Sequence, residues 1–169
     1  MVKNLSSDEK GTFHLHLAYS FFDGIIIGIL ALNEFVLIKS LSGTNYQIGF
    51  LFQFQVIVLL FSIFFNEFLR QTVRKKRLIR VVGILTHLPL LLFLIFPKDI
   101  DIEKFPVIYH YLFLSIFLIY YMARPIIYPT INLFLKNTYT HQNFGKLYGY
   151  ATTINKITIN ASLYIYAPI

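Results

Sequence analysis

Four ionisable residues sit inside stretches of sequence that are otherwise apolar enough to cross a bilayer: Asp23, His87, Arg124 and Lys156. A charge in the bilayer core costs at least about 2.5–3.5 kcal/mol on insertion scales, so each needs a reason to be there. The chemistry open to such a set is ion pairing, proton transfer, or the binding of a polar solute. Their neighbours at three- and four-residue spacing are small or polar as well. Around Arg124 the row is Tyr121, Arg124, Tyr128 and Asn132; around Lys156 it is Gly145, Gly149, Thr152, Lys156 and Asn160. Asp23 follows His16 and Tyr19, with Glu34 further on, while Gln55, Ser62 and Asn66 form a weaker row. Helices polar on one stripe and apolar elsewhere suit a bundle whose interior is wet or binds something. Two readings stay open for Asp23 and Arg124: a structural ion pair, or a substrate or proton role. Arg124 has a third, because its long stem can snorkel to the interface. His87 is open to hydrogen-bonded packing as well as to proton relay.

The segments carrying these residues read as five helices in one all-α transmembrane domain, 13–169, behind a polar segment 1–12. The helices are expected at about 13–38, 46–68, 78–96, 107–135 and 147–168. Each has the roughly 20 residues needed to cross about 30 Å of hydrocarbon. Ser6 and Glu9 have capping-box spacing, which marks the start of a short interfacial helix. Ser42-Gly43-Thr44-Asn45 makes the first turn, and Pro97 ends the third helix. Pro125 and Pro129 should bend the fourth. Polar loops are expected at 98–106 and 136–146. Gly24 with Gly28, and Gly145 with Gly149, have the spacing that lets helices approach closely.

Orientation follows from charge. Arg70, Arg74, Lys75, Lys76, Arg77 and Arg80 crowd one loop between two apolar segments, and such loops stay on the cytoplasmic side. With the amino terminus also inside, Lys3, Lys10, Lys136 and Lys146 join them, against Lys39, Lys98 and Lys104 outside. Ten against three supports a cytoplasmic amino terminus. Asp23 then lies about 12–15 Å from the inner face at 1.5 Å per residue. His87, Arg124 and Lys156 come to a similar height, so the four groups share one slab on the cytoplasmic side of the midplane.

Composition agrees with a lipid solvent. The chain is 56% apolar and 14% charged, with 18 Phe and 12 Tyr and a mean hydropathy of +0.62. A soluble domain has about 45–50% apolar and about 25% charged residues, and this chain has too few polar side chains to cover its apolar surface. The net charge of +7 sits between apolar spans without aromatic interleaving, which argues against nucleic acid as a partner. The absence of cysteine excludes disulfides and thiolate metal sites. No H-E-x-x-H, G-x-S-x-G or P-loop occurs, so no enzyme, metal or cofactor is expected. The polar start is not a signal peptide.

Four stretches give the chain a resemblance to the amino-terminal half of a major facilitator superfamily transporter. Ser42-Gly43-Thr44-Asn45-Tyr46-Gln47-Ile48-Gly49 is similar to that family's short outer turn into its second helix. The basic loop is similar to its G-x-x-x-D-R-x-G-R-K pattern, with Arg74 and Lys75 matching and the first Gly, the Asp, the first Arg and the second Gly positions replaced. Phe144-Gly145-Lys146-Leu147-Tyr148-Gly149 resembles the entry into its fifth helix, and Ala167-Pro168 a Gly-Pro at that helix's end. The resemblance implies about five of the roughly twelve helices of a two-halved transporter, in the cell membrane and multi-pass (the cytoplasmic membrane in a bacterium). It implies that Asp23 and Arg124 line a central cavity, and that Arg74 and Lys75 belong to a cytoplasmic gating loop. There, with no Asp at position 70, Glu67 pairs with Arg70 or Arg74. The expected function is transport of a small solute, proton-coupled through Asp23, by a truncated or split chain that needs a second polypeptide. The alternative is a non-catalytic membrane subunit that packs its stripes against partner helices. An intramembrane enzyme acting on lipid through His87 and Asp23 is a third reading.

Overall fold

The computed structural model describes residues 5–96 and 107–166, and every regular element among them is helical. The expected end at Pro97, the connection 98–106 and the Ala167-Pro168 stretch lie outside the described residues. Ser6 starts α1 (Ser7–Leu30) with a complete capping box: the Glu9 amide donates to Ser6 Oγ at 3.2 Å, and the Ser6 amide donates to Glu9 Oε2 at 3.1 Å. The cap therefore opens the long first helix itself and not a separate interfacial one. The expected segment 13–38 is divided, because α1 stops at Ala31-Leu32 and α2 (Asn33–Lys39) restarts with Glu34 in its first turn. Asp23 lies within α1.

Ser42, at φ 51°, takes the left-handed conformation that turns the chain. Gly43 follows against Leu37, where a Cβ would come within 2.7 Å of the Leu37 side chain. A second capping box, Thr44 with Gln47, opens α3 (Asn45–Gln71). Of the basic stretch, only residues 72–74 fall between helices; Lys75, Lys76, Arg77 and Arg80 sit in the first two turns of α4 (Lys75–His87). Positive charge at a helix amino terminus opposes the macrodipole, and Arg74 gives no side-chain cap. Beyond α4 the chain narrows into a 3₁₀ helix, Leu88–Ile95, with Pro89 in its first turn. The expected fourth helix breaks at Ala123 into α5 (Val107–Met122) and α6 (Arg124–Thr138). Pro125 stands just after the break, as its missing N–H requires, while Pro129 is carried inside α6. The expected polar loop 136–146 shrinks to Tyr139-Thr140, because α7 begins early, at His141–Tyr166.

Four segments are long and apolar enough to cross a membrane: Ser7–Lys39, Asn45–Gln71, Lys75–Ile95 and Val107–Thr138. Many of their apolar side chains are exposed, with Leu59, Ile63 and Phe64 on α3 about 70% exposed, a surface that a lipid solvent would cover. These features are compatible with a multi-pass membrane protein. The expected fifth span is not among the four: within its described part α7 carries Thr152, Thr153, Asn155, Lys156, Thr158, Asn160 and Ser162, which lower its hydropathy.

The chain divides into two compact units, Met1–Asn33 with Asn132–Ile169, and Glu34–Ile131. In the first, α1 and α7 run parallel, since contacts climb both helices together from Glu9–Asn143 through Asp23–Asn155 to Gly28–Ser162. Leu147 and Ala151, both 0% exposed, lie at its centre. In the second, α5 is the hub. It runs parallel to α3, through Gln47–His110 and Phe54–Tyr121. It runs antiparallel to α4 and the 3₁₀ helix, through His87–Tyr120, Phe93–Phe117 and Phe96–Tyr109. These directions are those that helices crossing alternately up and down must have.

Candidate functional site

The second unit loses regular α-helix in two neighbouring segments at one level. Pro89 cannot supply the amide that would bond the Leu85 carbonyl, and the chain passes from α4 to 3₁₀ at His87-Leu88. Opposite it, α5 ends at Met122 and α6 begins at Arg124, with the Ile126 and Ile127 amides both directed at the Ala123 carbonyl at 3.1 and 2.9 Å. The His87 ring meets the Tyr120 ring edge-on, centroids 5.4 Å apart. His87 Nδ1 lies 2.8 Å from the Gly83 carbonyl oxygen, so that nitrogen carries the hydrogen and donates. Arg124 lies across the next aromatic ring, its Cζ 4.8 Å from the Tyr121 centroid and 5.9 Å from that of Tyr120. Cation–π contact holds the guanidinium in place. Its Nε is buried with no hydrogen-bond partner among the described residues. A guanidinium donates and never accepts, so this arrangement presents a fixed donor to an anionic or carbonyl group. Tyr128, half-buried, lies one turn along α6. Asn132, one turn further, falls in the first unit, so the expected row from Tyr121 to Asn132 is shared between the two units.

In the first unit a polar ladder joins α1 to α7. Asn155 Nδ2 donates to the Ser20 carbonyl at 2.9 Å and to Asp23 Oδ2 at 3.1 Å. Nearer the start of α1, His16 Nδ1 lies 3.2 Å from the hydroxyl of Tyr139, which stands just before α7. At the end, Glu9 Oε1 accepts from the Thr140 amide at 2.8 Å, from Thr140 Oγ1 at 3.0 Å and from Asn143 Nδ2 at 3.3 Å. This one carboxylate, 2% exposed, therefore caps both helix amino termini. The Thr140 and Ser6 amides hold the Glu9 carboxyl down at about 2, against the opposing effect of burial, with Asn143 and the Thr140 hydroxyl adding to them. Burial, then the negative charge of Glu9, pushes the Tyr139 hydroxyl up to about 12.

Thr152, Lys156 and Asn160 are exposed on α7, and Asn160 Nδ2 turns back to the Lys156 carbonyl at 2.9 Å. Gly145 and Gly149 have open space around them and make no close approach. The face of α7 that meets α1 is the adjacent one, Ala151, Asn155, Thr158 and Ser162. Its own three- and four-residue spacing of small and polar side chains was the signal for it. On Gly24 and Gly28 the close approach is real: added Cβ atoms would meet Thr158 Oγ1 and, at 2.7 and 2.8 Å, the Asn155 and Ile159 carbonyl oxygens. In the basic stretch Glu67 pairs with Arg70 at 3.0 Å and accepts from Gln71 at 2.8 Å. Arg74 stands at the amino terminus of α4 and Lys75 is its first residue.

Comparison with known protein families, curated proteins and solved structures finds no match to this chain.

Proposed function

We propose that the chain is part of a secondary-active transporter of the major facilitator type, spanning the cell membrane with its amino terminus in the cytoplasm, and that it moves a small polar solute. The observation that carries this reading is the Arg124 site. A cation is held on aromatic rings beside two broken helices, and its buried Nε has no partner among the described residues. Non-helical backbone at membrane depth is tolerated where it is buried in protein or lines a wet cavity, and interrupted helices are the usual site builders of transporters. In this reading Arg124 contacts an anionic group of the solute and Asp23, oriented by Asn155, takes the coupling proton. A second polypeptide supplies further helices and covers the exposed row of Thr152, Lys156 and Asn160. The test is uptake into proteoliposomes that hold the chain together with its co-purified partner, driven by a proton gradient and screened over small carboxylates and phosphates. Uptake that Arg124→Gln abolishes is the expected result; a gradient-independent preparation whose solute binding ignores Arg124→Gln contradicts it.

The exposed α7 row also favours a second reading, a subunit without transport activity that docks this face on partner helices. Recovery of a stoichiometric partner complex in mild detergent, with no solute flux from it, would select that reading.

A further inference from the structure

At the amino-terminal ends of α3 and α5 the second unit holds a cavity of about 560 Å³, within the size range of small-molecule sites. Its wall is mostly apolar and rich in rings, with Tyr46, Phe50, Tyr111 and Leu114 beside the amide of Gln47 and the imidazole of His110. The hydrogen-bond chain through those two polar groups locates the hydrogen on one ring nitrogen of the histidine. The Thr44 amide donates to Gln47 Oε1 at 2.9 Å, so that atom is the amide's oxygen and an acceptor. The same oxygen lies 3.0 Å from His110 Nδ1. Two acceptors cannot bond each other, so Nδ1 carries the hydrogen. In the neutral ring Nε2 is then a bare acceptor. His110 is 8% exposed, and its Nε2 is buried with no partner among the described residues. A buried acceptor left without a donor is a standing cost that a ligand can remove.

We infer that this cavity binds a small cyclic alcohol or phenol, whose ring packs among Tyr46, Phe50 and Tyr111 and whose hydroxyl donates to His110 Nε2. A cationic amine is the poorer donor, because among the described residues the lining holds no carboxylate to neutralise it. Nε2 is itself covered by the wall, so the hydroxyl reaches it by displacing a neighbouring side chain. A membrane sterol and a free aromatic alcohol share this chemistry. The site stands apart from Arg124 and does not depend on the transport reading.

The test uses the full chain in nanodiscs of a phosphatidylcholine without lipid hydroxyls, titrated with 4-fluorophenol and with 4-fluoroanisole under ¹⁹F detection. The phenol should bind about tenfold more tightly than its methyl ether, the worth of one buried hydrogen bond. His110→Phe should bring the phenol down to the affinity of the ether. Gln47→Leu, which frees the imidazole tautomer, should narrow the preference. Nanodiscs that also contain cholesterol separate the sources: displacement of the phenol assigns the site to a membrane sterol, and undisturbed binding assigns it to a free alcohol. Equal affinity of phenol and ether for the unmodified protein would overturn the inference, leaving an apolar cleft filled by acyl chains. That comparison needs no variant, so a folding defect in His110→Phe cannot obscure it.

Discussion

Gly24→Ala is the sharpest perturbation of the α1–α7 pair. The added methyl would overlap Thr158 Oγ1 and lie 2.7 Å from the Asn155 carbonyl oxygen, a backbone atom that cannot rotate away. Overpacking of this kind costs about 1–3 kcal/mol, and the backbone partner puts it toward the upper end. Replacing helical Gly by Ala returns about 0.5–1 kcal/mol through the unfolded chain. The net loss is then about 1–2 kcal/mol. At roughly 2–4 °C per kcal/mol for a chain of this size, the melting temperature should fall by about 2–8 °C. Gly149→Ala has the same spacing partner in sequence but nothing within 4 Å. It should keep the propensity gain and hold or raise the melting temperature. Thr158→Ala added to Gly24→Ala removes the side-chain overlap and leaves the carbonyl one, so it should restore only part of the loss. Thermal unfolding in one detergent, followed by helical circular dichroism, measures all three. A Gly24→Ala protein as stable as the parent, or a Gly149→Ala protein equally damaged, would refute the close-packed interface.

Glu9 predicts an acid-sensitive helix pair. Its folded carboxyl is lowered from 4.5 to about 2, so its stabilising contribution is present above about pH 4.5 and is lost as the pH falls through about 2. The melting temperature of the parent should drop across that window, and Glu9→Gln should start lower and lose that part of the dependence. Asn155→Leu leaves an Asp23 oxygen and the Ser20 carbonyl without this donor, at a cost of about 1–3 kcal/mol in chemical unfolding. Adding Asp23→Leu should recover part of the loss, since the carboxylate that lost this donor goes with it. The chain has no cysteine, so single cysteines report topology cleanly. In intact cells an impermeant maleimide should label Ser40→Cys, and label Val73→Cys only after permeabilisation.

What was legible in the sequence was whatever depends on near neighbours. The Ser6–Glu9 box, the Gly24–Gly28 approach and a disturbance of the fourth helix near Pro125 each follow from residues within about one turn. Apolar length also marked the first four segments. The break at Ala31-Leu32 was less visible, since no Pro stands there and only Asn33 hints at a restart. The 3₁₀ helix after His87 turns on Pro89, one proline in an apolar run that reads equally well as α. On α7 the polar residues form two adjacent stripes, one position apart in sequence. Periodicity cannot say which of them faces α1, and the structure selects Asn155 and Thr158 over Lys156 and Thr152. His110 carries no local signal for a related reason: its meaning comes from Gln47, which lies 63 positions away in the sequence.

The central claim is that a solvent-reached, cation-lined site exists beside Arg124 within apolar helices. Thiol modification tests it without knowledge of the solute. Tyr128→Cys stands one turn beyond Arg124, while Leu59→Cys, on the 69%-exposed outer face of α3, faces lipid in this account. A water-soluble methanethiosulfonate should modify the cysteine at 128 far faster than the one at 59. The anionic reagent should outpace the cationic one at 128, and Arg124→Gln should remove that preference. Equal inertness of the two cysteines, or a charge preference that ignores Arg124→Gln, would contradict the account.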